Sequence, residues 1–144
     1  MTSCCEVTKK ITKGDLNRFG GTQQYHRHNQ VLFPDLMLTD GSYFLRENAQ
    51  CHWLFDAIAS HLFCNERLRK YREASQGLFW ELQVKKDDSA CLHCYFDEDD
   101  EVGQQKIDYT DIGNYTDIER IEIWTYPTLL NNRTIWVCLL PSEY

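Results

Sequence analysis

Three sets of side chains in this chain have the types and spacing that chemistry needs. The first is the polar stripe His52, Asp56 and Ser60, at i, i+4 and i+8 of an otherwise apolar segment. A carboxylate in such a segment is costly unless it is hydrogen-bonded or paired. Asp56 is therefore either an acceptor that pins the fold, bonded to backbone N–H groups or to an arginine of the loop around Arg27, or a general base relayed through His52 or His28. The second set is Cys91-x-x-Cys94 around His93, with His61 and Cys64 three apart. Zinc takes four such ligands in a tetrahedron. Cys91 and Cys94 would point to opposite faces if they share a strand, however. No second Cys-x-x-Cys pair completes a structural site, and a redox pair belongs at a helix N-terminus. The third set is the acidic run Asp97, Glu98, Asp99, Asp100, Glu101 followed by Gly103. It lacks the spacing of a calcium loop and reads as a solvated loop tip. Nothing fixes a nucleophile, since no Gly-x-Ser-x-Gly elbow is present. Gly20-Gly21 does not continue into a phosphate-binding loop. Neither a cofactor nor a metal is expected.

The elements that must position these groups change character halfway along the chain. Residues 1–10 read as a loose leader, and 11–144 as one α+β domain. Thr12 can cap a short helix through Phe19, with Asp15 in the capping-box position, and Gly20-Gly21 ends it. Residues 25–33 fit helix and strand equally, and Pro34 stops either. Leu36 to Leu38 fits a short strand. Thr39-Asp40-Gly41-Ser42 is a turn signal, with one or two helical turns over 43–48. The main helix spans 51–64. Leu54, Ala57, Ile58 and Leu62 form one face, and Trp53, Phe55, Ala59 and Phe63 make it apolar nearly all round. Arg67, Arg69, Lys70 and Arg72 then carry the chain across the surface.

After Gly77 the period becomes two. Strands are expected over 78–86, 90–96, 104–109, 119–126 and 134–140, with 127–133 as a hairpin connection. The last strand is apolar on both faces and so belongs inside the sheet. The expected fold is a four- or five-stranded antiparallel sheet with one main buried helix and one or two short helices on one face. Phe79, Tyr95, Trp124 and Tyr126 then fall on the sheet's outer face, where aromatic side chains favour a protein interface or a homodimer.

Composition bounds the function. The 144 residues carry a formal net charge of −7. That disfavours direct nucleic-acid binding, which relies on Lys and Arg at phosphates. No apolar run is long enough for a membrane span, and no secretory leader is present. Seven cysteines, an odd number, fit a reducing cytoplasm better than a disulfide framework.

Several blocks together resemble a known family. They are Phe19-Gly20-Gly21-Thr22-x-x-Tyr25-x-Arg27-His28, then Leu38-Thr39-Asp40-Gly41, Trp53-Leu54-x-Asp56-Ala57-Ile58-Ala59-Ser60, Ile107-x-Tyr109-Thr110-Asp111 and Leu140-Pro141-Ser142-Glu143-Tyr144. Their order is similar to that of small bacterial and mobile-element proteins grouped as a domain of unknown function. The Trp-Leu-x-Asp-Ala-Ile-Ala-Ser block is the specific part. The resemblance implies a complete one-domain protein of bacterial, phage or plasmid origin and implies no activity. Its patterned polar residues fall on Arg27, His28, Asp40, Asp56, Ser60 and Asp111. The chain departs from the pattern at His52, at its cysteines and around residues 65–77.

Two functions follow as expectations. One is a non-enzymatic protein-binding module, such as an anti-defence or regulatory inhibitor. It would meet a basic partner through the run from Asp97 to Glu101 and through Trp124 and Tyr126. The other is a small hydrolase using Asp56 with His28 and Ser60.

Overall fold

The computed structural model describes residues 10–74, 77–97 and 100–144. The expected leader, apart from Lys10, lies outside the described residues, as do Glu98 and Asp99. Helices α1 (Lys13–Asn17), α2 (Asp40–Asn48), α3 (His52–Cys64) and α4 (Arg69–Glu73) accompany seven strands. These are β1 (His26–Asn29), β2 (Phe33–Leu38), β3 (Leu78–Val84), β4 (Ala90–Asp97), β5 (Asp100–Ile107), β6 (Arg120–Leu130) and β7 (Arg133–Leu139). They form one mixed sheet in the order β1-β2-β7-β6-β3-β4-β5. Every junction is antiparallel except β2–β7, where Leu36, Met37 and Leu38 run parallel beside Trp136, Val137 and Cys138.

The expected sheet of four or five antiparallel strands is therefore corrected to seven strands, mixed. Two local causes explain the difference. Residues 25–33, which fitted helix and strand alike, hold β1, the turn after it and the first residue of β2, paired as a hairpin. Pro34, which cannot donate a ladder hydrogen bond, sits where the register of that hairpin shifts. The parallel junction joins segments about a hundred residues apart, where no local pattern could signal it.

Other boundaries moved for equally local reasons. Of the acidic run, Asp97 ends β4 and Asp100 begins β5, directly opposite each other. Strand β6 continues through Pro127, which faces Trp136, and the β6–β7 turn shrinks to Asn131 and Asn132. Both take positive φ, 52° and 64°, the left-handed pair that a two-residue hairpin needs and asparagine tolerates. The basic stretch after α3 is a 3₁₀ turn followed by α4. Within it, Arg72 Nη1 donates to the carbonyls of Leu62 and Phe63, each at 2.9 Å, closing the C-terminal end of α3.

The capping box of α1 forms: Thr12 Oγ1 accepts from Asp15 N–H, and Asp15 Oδ2 accepts from Thr12 N–H. The turn signal at Thr39 proves to be the cap and first turn of α2. Its support comes from the far end of the chain. Glu143 Oε2 accepts from Gly41 N–H at 3.0 Å, and Oε1 accepts from Thr39 Oγ1 at 2.6 Å and from Leu140 N–H at 2.9 Å. A Cβ at position 41 would stand 2.5 Å from Glu143 Oε1, so glycine is what admits this carboxylate.

One core unites residues from Ile11 to Leu140. From the sheet it takes the face bearing Leu36, Leu38, Trp136, Cys138, Ile121, Ile123, Leu78, Trp80, Leu82 and Leu92. From the helices it takes Leu16, Leu45, Leu54, Phe55, Ile58, Ala59, Leu62 and, from the 3₁₀ turn, Leu68. In α3, Phe55 rather than Ala57 completes the fully buried row. The helices thus cover one face of the sheet, and its other face presents the alternate residues of each strand.

Candidate functional site

On the helix-covered side, β1 places two histidines at i and i+2, so both rings turn toward α2 and α3. His26 Nε2 lies 2.9 Å from Asp40 Oδ1, and its ring stacks on Tyr43 at 4.2 Å. His28 Nε2 lies 2.6 Å from Asp56 Oδ1, and its Nδ1 lies 3.0 Å from Arg46 Nη1. A guanidinium only donates, so Nδ1 is the acceptor and Nε2 carries the proton to Asp56. The same Arg46 nitrogen reaches the His28 carbonyl at 3.2 Å, and Arg46 Nε donates to Glu47 Oε2 at 3.1 Å. The Arg46 guanidinium also lies over the Tyr43 ring at 5.2 Å.

This geometry corrects the picture of Asp56. Its side chain is 52% exposed, not buried in an apolar helix. His52, Asp56 and Ser60 do share one exposed stripe of α3, and the carboxylate reaches over its edge to a ring that is itself only 2% exposed. The arginine in the network is Arg46 of α2, whereas Arg27 points to solvent. His52 pairs with Glu47 instead, at 3.0 Å.

Burial lowers the pKa of His28 below its ordinary value, and Arg46 and His52 add to this, while the bond to Asp56 opposes it. The ring is neutral at pH 7 and both its nitrogens are engaged. A histidine placed this way ties strand to helices and has no nitrogen left for a substrate proton. Asp40, by contrast, is held below its ordinary pKa first by the Gln23 N–H and then by His26, and it stands in the first turn of α2, where a carboxylate suits the helix dipole.

The cysteine and histidine candidates for a metal separate as strand geometry requires. Cys94 faces the core and Cys91 the opposite side, where Gln104 Nε2 contacts its sulfur at 3.2 Å. His61 bonds Gln105 and Asn65, and Cys64 is exposed. Among the described residues no three potential ligands come together. Burial pushes the thiol of Cys94 far up, and that of Cys51 to about 12, so these sulfurs are not thiolates at neutral pH.

The uncovered face of the sheet holds a groove of about 690 Å³. Its walls are the rings of Phe79, Tyr95, Trp124, Tyr126 and Tyr144. Phe79 meets Trp124 and Tyr126 edge-on at 5.4 and 5.8 Å, and Tyr144 stacks on Tyr126 at 5.3 Å. Local structure fixes these rings. Tyr126 lies so close over Gly77 that a Cβ there would come 2.5 Å from its ring. Glu143, anchored at the start of α2, delivers the neighbouring Tyr144. Glu101 accepts from Tyr95 and helps raise that phenol's pKa, after burial. Glu81 and Glu122 stand directly opposite each other in the β3–β6 ladder and line the groove beside the rings.

Of the residues expected to bind, Trp124, Tyr126 and Asp97 line this groove. Glu101 borders it through Tyr95 and also holds His93 Nδ1 at 2.9 Å. Asp100 is at the hairpin tip, and Glu98 and Asp99 lie outside the described residues. Four further acidic residues, Asp87, Asp88, Asp108 and Asp111, lie toward the other end of the β4–β5 ladder, where the Thr110 N–H donates to the Asp88 carbonyl at 2.8 Å. The length of an eight-residue strand, about 25 Å, separates the two acidic groups, so they do not make one negative face.

Sequence reading missed Arg46, the Asp40–His26 pair, the Glu81–Glu122 pair and Tyr144. The two histidines could have been paired from the period-two pattern of Tyr25-His26-Arg27-His28. The facing glutamates required strand register, and Tyr144 required the contact between the chain's last residues and β6.

The model of the Family of unknown function (DUF6876) matches residues 10–144. No curated protein and no solved structure matches the chain.

Proposed function

The chain belongs to that family, and from its own geometry we propose that it is a binding module that engages a protein partner through the uncovered face of its sheet. One observation carries this reading. Among the described residues the helices pack on one face, and the other face holds a groove of about 690 Å³ walled by the rings of five aromatic residues. Tyrosine and tryptophan are the residues that anchor protein interfaces, because they bring large, stiff contact area at little cost in rotamer entropy. Trp124 and Tyr126 lie on β6, an interior strand, so the anchor points are rigid. The groups on the helix side are already bonded to one another and offer a partner less. In a phage or plasmid setting, which the likeness to mobile-element proteins favours, such a module would act as a regulatory or anti-defence inhibitor of a host protein.

The test is affinity capture from the host with three proteins: the natural chain, the double variant Trp124→Ala/Tyr126→Ala, and Asp56→Asn. Circular dichroism and thermal melting establish that each is folded. The expected result is a partner retained by the natural chain and by Asp56→Asn but lost by the double variant. Capture that survives the double variant and fails with Asp56→Asn would overturn the reading and move attention to the helix side.

A further inference from the structure

Resting on that reading, we infer that the groove is built around a guanidinium, and that its occupant is an arginine side chain within an extended basic segment of the partner protein. The starting point is the floor. Glu81 and Glu122 are direct cross-strand partners on the same side of the sheet, which sets their Cβ atoms about 5 Å apart. Like charges so placed oppose folding. Gln83 Nε2 donates to Glu81 Oε1 at 2.7 Å, and Arg120 relieves part of the repulsion. Its Nη2 is 3.3 Å from Glu81 Oε2, and its side chain is 68% exposed, so the ion pair is a weak, solvent-screened one. Glu122 has no hydrogen bond or ion pair among the described residues. One exposed carboxylate thus stands unpaired beside a set of rings.

The chemistry of the walls selects the cation. An arginine presents a flat charge that stacks on aromatic faces and a fork of N–H donors that fits a carboxylate. Lysine offers a compact, strongly hydrated charge with no plane to stack. An apolar side chain would desolvate Glu122 and leave it unpaired, which costs free energy. A phosphate would meet Glu81, Glu122 and Asp97 with the wrong sign. The groove is also larger than one side chain needs, so several residues of an extended segment lie along it. Net charge of −7 favours the approach of such a segment.

The experiment is fluorescence polarisation of a labelled, end-blocked octapeptide of Gly and Ser carrying two arginines. Matched peptides carry lysine or citrulline, the neutral isostere of arginine, in their place. The arginine peptide is expected to bind saturably and to weaken as salt is raised. The citrulline peptide should bind about tenfold more weakly or not at all, with lysine between them. Glu122→Gln should weaken the arginine peptide about fivefold, and Trp124→Ala should abolish its binding. Equal binding of arginine and citrulline peptides overturns the inference. So does binding unmoved by both variants, or a solution dimer that Trp124→Ala dissociates, which would seat a second copy in the groove. If a partner is still captured through Trp124 while the arginine peptide fails, the binding-module reading stands and the guanidinium falls. If capture does not depend on Trp124 and Tyr126, both fall.

Discussion

The two faces of the sheet carry similar chemistry in opposite states. On the helix side, aromatic, acidic and basic groups from β1, α2 and α3 close on one another. Asp56 accepts a hydrogen bond from His28 Nε2–H, His28 Nδ1 accepts from Arg46, and Arg46 also holds Glu47 and covers Tyr43. On the other face the rings of Phe79, Trp124 and Tyr126 line a groove, and Glu122 of β6 has no hydrogen bond or ion pair among the described residues. Two glutamates face each other, and one exposed arginine pairs with Glu81 alone. A satisfied polar network rigidifies a fold, while an unsatisfied one is tolerated when a ligand completes it. The difference therefore separates a structural site from the proposed binding site even though the residue types are alike.

Replacing Arg46 should break the closed side most severely. Arg46→Ala leaves the His28 Nδ1 and carbonyl without their donor and releases Glu47. Losing one partner of a buried charged network costs about 3 kcal/mol. The melting temperature should fall by roughly 6–12 °C, measured by calorimetry, while the arginine peptide still binds at temperatures where the variant is folded. A loss of peptide binding without a loss of stability would reverse the assignment of the two faces.

Glu143 joins the two regions, and its replacement should touch both. Glu143→Ala strips the acceptor from Gly41 N–H, Thr39 Oγ1 and Leu140 N–H. A cost of about 2 kcal/mol is expected, together with a weaker grip on the peptide as Tyr144 loosens from Tyr126. The chemical denaturation midpoint and the polarisation titration check the two halves separately.

These two residues also show where sequence reading stops. The stripe His52, Asp56, Ser60 and the capping box at Thr12 follow from spacings of three and four, so helix geometry makes them legible. The outward position of Trp124 and Tyr126 follows from period two. Cys91 and Cys94 were separable for the same reason. Arg46 and Glu143 act across about 18 and 102 positions, and the parallel β2–β7 junction across about a hundred. Local periodicity contains no term for such pairings, so strand number, sheet order and the true partner of Asp56 needed tertiary structure. The apolar character of α3 was legible, but it suggested a buried Asp56. The polar stripe that contradicted this was in view and carried the better information about exposure.

Acid should loosen the closed side through His28. Its folded pKa lies below the ordinary 6.5 because burial disfavours the cation, with Arg46 and His52 adding and Asp56 opposing. The unfolded chain then binds the proton first as pH falls. The stabilising contribution is complete above about pH 6.5 and is lost as pH drops toward the folded value, with a slope of at most about 1.4 kcal/mol per pH unit. Melting temperatures between pH 7.5 and 5 should decline in the natural chain. His28→Asn, less stable at pH 7.5, should decline less steeply. Parallel slopes in the two proteins would remove His28 from the acid response.

The smallest stability effect should have the opposite sign, and it distinguishes the faces most sharply. Glu122→Gln removes one charge from a like-charged cross-strand pair and breaks no hydrogen bond seen among the described residues. Relief of that repulsion is worth about 0.2–0.5 kcal/mol, so the variant should melt slightly higher, by roughly 1 °C. On the closed side, every comparable neutralisation, such as Asp56→Asn opposite the His28 N–H, removes a made bond and lowers stability. A residue whose neutralisation stabilises the free protein and weakens the arginine peptide is held in place by binding rather than by folding. If Glu122→Gln instead lowers the melting temperature, the carboxylate has a structural partner and the groove floor is closed like the other face.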